Sequence, residues 1–495
     1  FLSALVGSTK QVESILSEFA DRPGLGLVTA RGSIVGQEFW GGNQLNTEAL
    51  LMRFRLRRPP HQLEFAAGSM YWIRAFVLQG LRALELTADD FEPESGQIDG
   101  TTAHGLERLV GVLTKEAGYV LDSAPRSPQT SDSWRRFLEP PPSRGRGIAF
   151  YLPQFHRFPE NNRWWGEGFT EWSNVASAEP LFPGHTQPLL PADLGFYDLT
   201  DPRVLPQQAA LAQAHGIGAF MYYYYWFAGE PLMDTPLRQH HSSDVDMPYC
   251  LMWANENWTR RWDGGETEIL VEQEHATVPP ETFIDSIIEY LRDPRYVTLD
   301  GLPLLAVYKL SQLPDPAATV TAWRARVRAA GLPGLHLLSV DVGASMGGVS
   351  DADAEIGVDG FMEFPPHNMQ WTAHDTSDVG IDSRFKGNIM DYGAMVDGTA
   401  ALRAQGIPQS RYPGVMVNFD NTARRQWRSD LWLGSNPYTF RRWLSSTLDG
   451  LTGRDADERI VFINAWNEWA ECAVLEPSQR FGKTYLLAAR DALTW

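Results

Sequence analysis

The chain has 495 residues, a formal net charge of −19 at pH 7, two cysteines, 18 tryptophans and 16 tyrosines. Its length exceeds what one hydrophobic core usually serves, so we expect two domains, and its acidic charge disfavours nucleic acid and anionic membrane surfaces as partners. No stretch is apolar over the roughly 20 residues that a membrane span needs. The surplus of aromatic residues suits the recognition of a neutral ligand such as a carbohydrate.

The cysteines, Cys250 and Cys472, are too few for a disulfide framework, and no set of Cys and His has the spacing of a zinc site. We therefore expect a reducing compartment, the cytoplasm, and neither a metal nor another cofactor. The chain begins with Phe1 rather than Met, so we expect a processed protein or a piece of a longer one.

A segment rich in Pro, Ser and Gly lies between Ser123 and Arg146, and this composition separates domains rather than packing into one. We expect a first domain over residues 1–122, a linker over 123–145 and a second domain over 146–495.

Eight short apolar runs follow this linker, separated by segments long enough for a helix or a loop. They are Ile148–Leu152, Ala219–Tyr225, Tyr249–Ala254, Leu302–Val307, Leu335–Val340, Gly360–Phe364, Gly414–Asn418 and Ile460–Ala465. Pro206–His215 and Pro280–Arg292 have the apolar spacing of helices. The pattern predicts a (β/α)₈ barrel preceded by a smaller α/β domain, with a doubly wound open sheet as the alternative.

Polar and aromatic side chains follow most of these runs, where a barrel of this kind places its active site. The candidate sugar-binding residues are Tyr151, Gln154, His156, Trp172, Tyr223, Trp253, Asn255, Glu256, Asn257, Trp258, Asn418, Asp420, Trp466 and Asn467. Alternation along a strand should send about half of the tyrosines 222–225 inward and half toward the helices. His156, and His367 after the sixth run, are single histidines of the kind that more often has a structural role than a catalytic one.

The last run breaks into Trp466-Asn467-Glu468-Trp469-Ala470-Glu471. Residues three apart on a strand point to opposite faces, so the two glutamates converge only if the strand ends here. Paired carboxylates beside aromatic faces can protonate and deprotonate the oxygens of a stacked sugar. We expect both glutamates at the same barrel end as Tyr151, Glu256 and Asp420; the alternative is that one glutamate caps a helix while the tryptophans pack.

Four motifs together resemble the WbsX-type family, which is described as lipopolysaccharide-biosynthesis or glycosyltransferase-like and is related to glycoside hydrolase family 99, the endo-α-mannosidases and mannanases. They are Phe150–His156, Gly168–Trp172, Trp253–Trp258 and Trp466–Glu471, and the resemblance spans about residues 146–495. It implies that Glu471 is the general acid and base. It also implies that Glu468 takes the proton from the sugar's 2-hydroxyl, whose oxygen then forms a 1,2-anhydro sugar. Cys472 stands where we expect Gly in this motif.

The first domain carries a resemblance of its own. Glu38–Asn43, Phe65–Trp72 and Gly96–His104 are similar to the C-terminal part of the rhamnan synthesis protein F family, which is glycosyltransferase-like. The half of such a domain that would hold a nucleotide sugar has no counterpart here, so Asp99 and His104 are candidates only if further residues complete the fold. The alternative is structural, with Asp99 as a helix cap and His104 on that helix.

The leading hypothesis is a retaining α-glycosidase of the family 99 type that acts on mannose-like or rhamnose-like linkages in a bacterial surface polysaccharide. One alternative is a glycosyltransferase in O-antigen, lipopolysaccharide or rhamnan biosynthesis. Another is a non-catalytic glycan-binding barrel. The expected partners are the oligo- or polysaccharide and other proteins of polysaccharide assembly.

Overall fold

The computed structural model describes residues 1–54, 56, 63–128, 131–139, 142–259, 269–271, 273–343, 356–377 and 379–494, and the side chains at 258, 259, 269 and 270 fall outside this description. The chain forms two compact units. One comprises residues 1–143, 434–445 and 481–495, and the other comprises residues 144–433 and 446–480.

The strands and α-helices are numbered in chain order through both units. The strands are β1 (Leu25–Thr29), β2 (Ile34–Gly36), β3 (Glu64–Ala66), β4 (Tyr71–Ile73), β5 (Val120–Ser123), β6 (Arg146–Tyr151), β7 (Ile217–Phe227), β8 (Glu230–Leu232), β9 (Tyr249–Trp253), β10 (Trp258–Thr259), β11 (Ile269–Val271), β12 (Thr298–Leu299), β13 (Leu302–Val307), β14 (His336–Asp341), β15 (Gly360–Glu363), β16 (Asn388–Asp391), β17 (Arg411–Tyr412), β18 (Gly414–Met416), β19 (Asp430–Leu433), β20 (Ile460–Asn464), β21 (Asn467–Glu468) and β22 (Ala473–Val474). The α-helices are α1 (Leu2–Val6), α2 (Thr9–Asp21), α3 (Gln44–Arg53), α4 (Ala75–Gln79), α5 (Thr102–Glu116), α6 (Pro159–Trp165), α7 (Glu171–Ser177), α8 (Val204–Ala214), α9 (Thr235–Ser242), α10 (Pro280–Leu291), α11 (Pro316–Ala329), α12 (Tyr392–Arg403), α13 (Thr422–Arg425), α14 (Pro437–Asp449) and α15 (Thr484–Thr494).

The second unit is a barrel of parallel strands, as the apolar runs predict. Its hydrogen-bonded order is β17-β15-β14-β13-β9-β7-β6-β20-β18. β17 and β18 are consecutive in the chain and are separated by Pro413, which has no N–H to give to a strand ladder. β17 pairs with β15 and β18 pairs with β20, so the two segments together take the place of the seventh strand and close the ring.

The strand β7 shows how alternation separates the barrel interior from the helix layer. Tyr222 contacts His240 of α9 and Tyr224 contacts Ser286 of α10. Tyr223 instead stacks on Phe150, with ring centroids 5.7 Å apart. The prediction that about half of these tyrosines face inward is confirmed.

The first unit contains a three-stranded sheet in the order β4-β1-β5, in which β1 pairs antiparallel with β4 and parallel with β5. It differs from the continuous first domain expected from the sequence because it also takes residues 434–445 and 481–495. Tyr438 helps to bring residues 434–445 into this unit. It packs against Phe54 and Phe76, and its hydroxyl donates to the Val77 carbonyl at 2.9 Å.

Asp99 and His104 serve the local structure of this unit. Asp99 accepts a hydrogen bond from the Gly42 N–H at 2.7 Å, which holds the pKa of its carboxyl below the usual value. Thr101, rather than Asp99, caps α5 by accepting from the His104 N–H. Within the part of the chain that the structure describes, no helix is long and apolar enough to cross a membrane.

Candidate active site

The glutamate motif lies in a tight loop at the carboxyl end of β20. The strand ends at Asn464, after which Asn467–Glu468 pairs antiparallel with Ala473–Val474 around a single 3₁₀ turn, Trp469–Glu471. Glu468 immediately precedes this turn, in the position of a helix cap, but its side chain makes no capping hydrogen bond. The strand therefore ends as required for convergence, and the helix-capping alternative is wrong.

Arg424, in the short helix α13 after β18, binds three carboxylates. Its guanidinium donates to Glu171 at 2.7 Å, to Glu471 at 2.6 Å and to Glu468 at 3.2 Å. The Arg424 side chain is 4% exposed, and those of Glu468 and Glu471 are 7% and 16% exposed. Both glutamates of the motif thus lie within the span of one guanidinium, and Glu471 is the more accessible of the two.

The charges in this cluster do not balance. If all three carboxylates were ionised, one guanidinium would leave two negative charges uncompensated in a buried site. Burial, reinforced by the neighbouring Glu471 charge, raises the pKa of Glu468 to about 8, and burial also raises the pKa of Glu471. The pair therefore holds a shared proton near neutral pH, and its titration belongs to both residues together.

Asp420 connects the loops after β18 and β20. Its N–H donates to the Glu471 carbonyl at 2.8 Å, and its carboxylate accepts from His185 at 2.7 Å and from Gln187 at 2.9 Å. The Leu181 N–H donates to Nδ1 of His185, which leaves Nε2 of the same ring to donate to Asp420. These bonds lower the pKa of Asp420 against the opposing effect of burial, and they fix the backbone that carries Glu471.

Aromatic side chains form the floor of the barrel beside this cluster. The ring of Phe364 lies 4.8 Å from Phe150, 6.3 Å from Tyr223 and 5.8 Å from Tyr308. Burial, together with the charges of Glu468 and Glu471, holds the pKa of Tyr223 well above its ordinary value. Tyr223 therefore lies close to the glutamates and stays a neutral hydroxyl that can donate to a sugar.

A second polar cluster lies across the barrel end, after β9 and β13. Lys309 pairs with Glu256 at 2.5 Å, and Asn255 holds the Lys309 backbone through two hydrogen bonds of 2.8 Å. The hydroxyl of Tyr308 lies 3.4 Å from His367, whose pKa burial and the Lys309 charge lower to about 4. His367 is therefore neutral, and Glu256 keeps a half-exposed carboxylate that can accept from a sugar hydroxyl.

Tyr151, Glu256, Asp420, Glu468 and Glu471 all follow the carboxyl ends of parallel barrel strands, as expected. The side chain of Tyr151, however, does not face the carboxylates. It is buried among Phe220 and Tyr222 and donates to Gln208 of α8 at 2.7 Å.

Several other residues expected to bind sugar are buried in packing contacts. Trp253 stacks on Phe283 with centroids 4.0 Å apart, and Trp466 is 0% exposed and packs on Phe220. Trp172 packs between Phe155 and Trp469, and Asn467 exchanges two hydrogen bonds with the Leu152 backbone. Their side chains support the site from behind and present little or no surface for stacking.

The remaining predicted residues differ in their environment. His156 is buried beside Phe158, and burial lowers its pKa. Gln154 is half-buried, Asn257 is exposed and accepts from the Gln273 N–H, and Asn418 is buried with a side-chain oxygen that has no hydrogen-bond partner among the described residues. The side chain of Trp258 lies outside the described residues.

Sequence reasoning missed Arg424, Glu171 and Glu476. Glu171 lies in the motif Gly168–Trp172, immediately before the candidate residue Trp172. Glu476 follows the glutamate motif, in Leu475-Glu476-Pro477. Arg424 lies beside a second arginine in an unremarkable segment. Among the described residues no group of three or more His, Cys, Asp or Glu has the arrangement of a metal site.

Residues 147–489 match the family described as Glycosyltransferase WbsX. The chain is also 42% identical over 350 residues to "Uncharacterized protein WxcX" in each of two strains of Xanthomonas campestris pv. campestris, with 70% of this chain and 49% of each relative covered. The chain thus spans about half the length of the curated relatives it matches.

Solved structures with a similar barrel include a "Glycoside hydrolase-like protein", with a TM-score of 0.46, 14% identity and coverage of 71% of this chain and 94% of that chain. The GH99 endo-alpha-mannosidase from Bacteroides thetaiotaomicron has a TM-score of 0.42 and 16% identity, with coverage of 70% and 96%. These are likenesses of fold.

Proposed function

The chain belongs to the WbsX glycosyltransferase family, and on this premise we propose that it is a carbohydrate-active enzyme, a retaining α-glycosidase with Glu468 and Glu471 as its catalytic pair. The observation that carries the proposal is the buried arrangement of both carboxylates on Arg424 at the carboxyl end of the barrel. The proposed substrate is a bacterial surface polysaccharide with mannose-like or rhamnose-like α-linkages.

The shared proton supports this chemistry. A glycosidase needs one protonated carboxyl to assist the leaving oxygen and one ionised carboxylate to act as a base. Burial raises the pKa of both Glu468 and Glu471 in the ligand-free site. When the 2-hydroxyl of a bound sugar donates to Glu468, the ionised form of Glu468 is favoured and the proton of the pair moves to Glu471, which is the more exposed residue.

The proposed reaction has two steps. First, Glu471 gives its proton to the leaving oxygen as the glycosidic C–O bond breaks, while Glu468 takes the proton of the 2-hydroxyl and the freed oxygen bonds to the anomeric carbon. Second, water attacks the anomeric carbon and opens the 1,2-anhydro ring, Glu471 takes the water proton, and Glu468 returns its proton to the 2-oxygen. Two inversions at the anomeric carbon give net retention.

A glycosyltransferase is the second candidate, and the description of the family favours it. The electrostatics of the cluster favour a glycosidase, because three carboxylates around one arginine repel the diphosphate of a nucleotide-sugar donor. The same surplus of negative charge stabilises an oxocarbenium-like transition state. A glycan-binding barrel without catalysis has no use for a carboxyl pair that retains a proton.

Location and protein partners are proposals of the same kind. We propose a cytoplasmic enzyme that works with other proteins of polysaccharide assembly. The two cysteines, Cys250 and Cys472, are buried thiols outside any disulfide, which suits a reducing compartment.

Product analysis separates the candidates. Polysaccharides that contain α-mannosyl or α-rhamnosyl linkages are incubated with the protein, and new reducing ends and their first-formed anomer are followed by proton NMR. We expect α-configured reducing ends that Glu468→Gln and Glu471→Gln both abolish. Glu363→Gln is the matched control, because Glu363 is the last residue of β15 and its carboxylate pairs with Arg403 rather than with Arg424. Transfer from a nucleotide sugar without any cleavage would refute the glycosidase and support the transferase.

A further inference from the structure

Glu476 is a third buried carboxylate behind the catalytic loop, and it is 2% exposed. It accepts hydrogen bonds from Gln208 at 2.7 Å, from the Tyr197 hydroxyl at 2.8 Å and from the Trp469 indole at 2.8 Å. None of these described partners is a cation. Burial without a counter-charge raises the pKa of Glu476 to about 7.

Burying a carboxylate without a cation beside it is unfavourable, so we looked for what its hydrogen bonds hold in place. Removing a carboxylate from water without a cationic partner costs several kcal/mol before its hydrogen bonds are counted, on the order of the whole stability of a domain. Two of its partners, the Trp469 indole and the Gln208 amide N–H, are donors, and only an acceptor satisfies both. A carboxylate meets this demand with both oxygens.

The bonds of Glu476 reach both sequence neighbours of Glu468. Trp469, which Glu476 holds directly, follows Glu468 in the chain. Asn467, which precedes it, donates to the Tyr197 hydroxyl at 3.4 Å and is fixed to the Leu152 backbone by bonds of 2.7 and 3.0 Å. The Glu468 backbone is therefore held from both sides.

The same network extends to the cation of the site. The Tyr197 carbonyl accepts from the Trp172 indole at 2.7 Å, and Trp172 follows Glu171, which binds Arg424. A displacement of Tyr197 or Trp469 is thus transmitted both to Glu468 and to the α7 segment that holds its arginine.

We propose that Glu476 is a positioning residue that holds Glu468 at hydrogen-bond distance from Arg424 by anchoring Trp469 and Tyr197. The inference rests on the proposed function only for its effect on catalysis, because the position of Glu468 relative to Arg424 can be measured without a substrate. The charged and titratable groups that face Glu468 and enter this measurement are Arg424, Glu171, Glu471, Tyr223 and Tyr225.

The test is a carboxyl titration by NMR on protein labelled with carbon-13 at the glutamate side-chain carboxyl. The Glu468 resonance is identified by its loss in Glu468→Gln. Two variants are compared with the wild type: Glu476→Gln, which removes the charge but keeps the shape, and Trp469→Phe, which keeps the charge but removes one donor. Glu116→Gln is the matched control, because Glu116 is a buried carboxylate of the other compact unit that accepts from Thr439 at 2.5 Å.

A positioning role and a through-space charge effect move the Glu468 titration in opposite directions. If Glu468 drifts from Arg424 it loses the cation that favours its ionised form, so its titration moves to higher pH in both variants. If Glu476 acted by its charge alone, the titration would move to lower pH in Glu476→Gln and stay in place in Trp469→Phe. The second pattern, or an unchanged Glu468 titration in folded Glu476→Gln, overturns the proposal. Glu116→Gln should leave the resonance unchanged.

The catalytic arm uses 4-nitrophenyl α-mannoside and 4-nitrophenyl α-rhamnoside as probes. We expect kcat to fall by about 10- to 100-fold in Glu476→Gln with KM within about twofold, since small displacements of a catalytic group cost this much. An unchanged kcat on a probe that the wild type cleaves overturns the positioning role. If the wild type cleaves neither probe, the NMR titration alone tests the positioning role of Glu476. The absence of cleavage then counts against the proposed function and not against the position of Glu468.

Discussion

The two ion-pair clusters at the carboxyl end of the barrel differ in how their charges balance. Around Arg424, three carboxylates share one cation, and the Arg424 side chain is 4% exposed. Between β9 and β13, Lys309 faces one carboxylate, Glu256, whose side chain is 36% exposed. Glu256 has one cation of its own and reaches solvent, whereas the buried carboxylates around Arg424 outnumber their cation. In the proposed function, acid–base chemistry takes place at the first cluster and hydroxyl binding at the second.

We expect the largest effect when the proposed internal nucleophile, the 2-hydroxyl of the substrate, is removed. A substrate whose 2-hydroxyl is replaced by hydrogen should not be cleaved, because no oxygen is left to form the 1,2-anhydro sugar. Glu468→Gln should lose activity near the top of the roughly 10²- to 10⁴-fold range of general acid–base catalysis while still binding the glycan, as measured by calorimetry. A stable adduct of a 2-deoxy-2-fluoro substrate on Glu468 would instead identify a conventional protein nucleophile.

A smaller loss, which depends on the leaving group, is expected for Glu471→Gln. Turnover should fall by about 10²- to 10⁴-fold on a glycan whose leaving alcohol needs protonation, and much less on an activated aryl glycoside. The ratio of kcat/KM on the two substrates measures this. Equal losses on both would remove Glu471 from the role of acid.

Breaking the crowded cluster should destabilise the fold. Arg424→Met leaves three buried carboxylates without their cation, which we expect to cost about 3–5 kcal/mol of unfolding free energy at pH 8, measured by urea denaturation. The cost should shrink toward pH 5, where the carboxyls can accept protons.

The balanced cluster supplies the control for that experiment. Lys309→Met removes a buried cation but leaves a single carboxylate, Glu256, that is 36% exposed and can be solvated, so we expect a smaller loss of unfolding free energy than in Arg424→Met. Equal costs for the two variants would show that the imbalance around Arg424 has no energetic consequence.

A further test of the crowded cluster is the pH dependence of stability. The pKa of Glu468 is raised from 4.5 to about 8 by folding, so its contribution is fully present below pH 4.5 and is lost as the pH rises toward 8. Glu468→Gln cannot ionise, so its unfolding free energy relative to the wild type should rise across this window, by up to about 5 kcal/mol. Chemical denaturation of both proteins at matched pH values measures the difference. A relative stability that stays flat from pH 4.5 to 8 would contradict the raised pKa.

Local patterns in the sequence are enough to predict the barrel and the end at which its candidate site lies. All eight apolar runs became barrel strands, and the predicted helices Pro206–His215 and Pro280–Arg292 are α8 and α10 within two residues at each end. Local patterns suffice for this, because a buried parallel strand is a continuous apolar run and its carboxyl end is marked by the first polar residues. The motif around Glu468 and Glu471 was visible for the same reason.

The contacts between side chains of the candidate site depend on residues that lie far apart in the chain. Arg424 reaches Glu171 across 253 positions and Glu468 across 44, and Glu476 reaches Gln208 across 268. Such partners leave no local pattern, because hydrogen bonds form between atoms close in space whatever their separation in the chain. Orientation was likewise decided by packing: Tyr151, the last residue of β6, points to Gln208 of α8 because alternation turns its neighbour Phe150 into the barrel, where it stacks on Tyr223. Trp466, two residues beyond β20, packs on Phe220. The proton shared by Glu468 and Glu471 arises from burial and crowding, which only the folded chain creates.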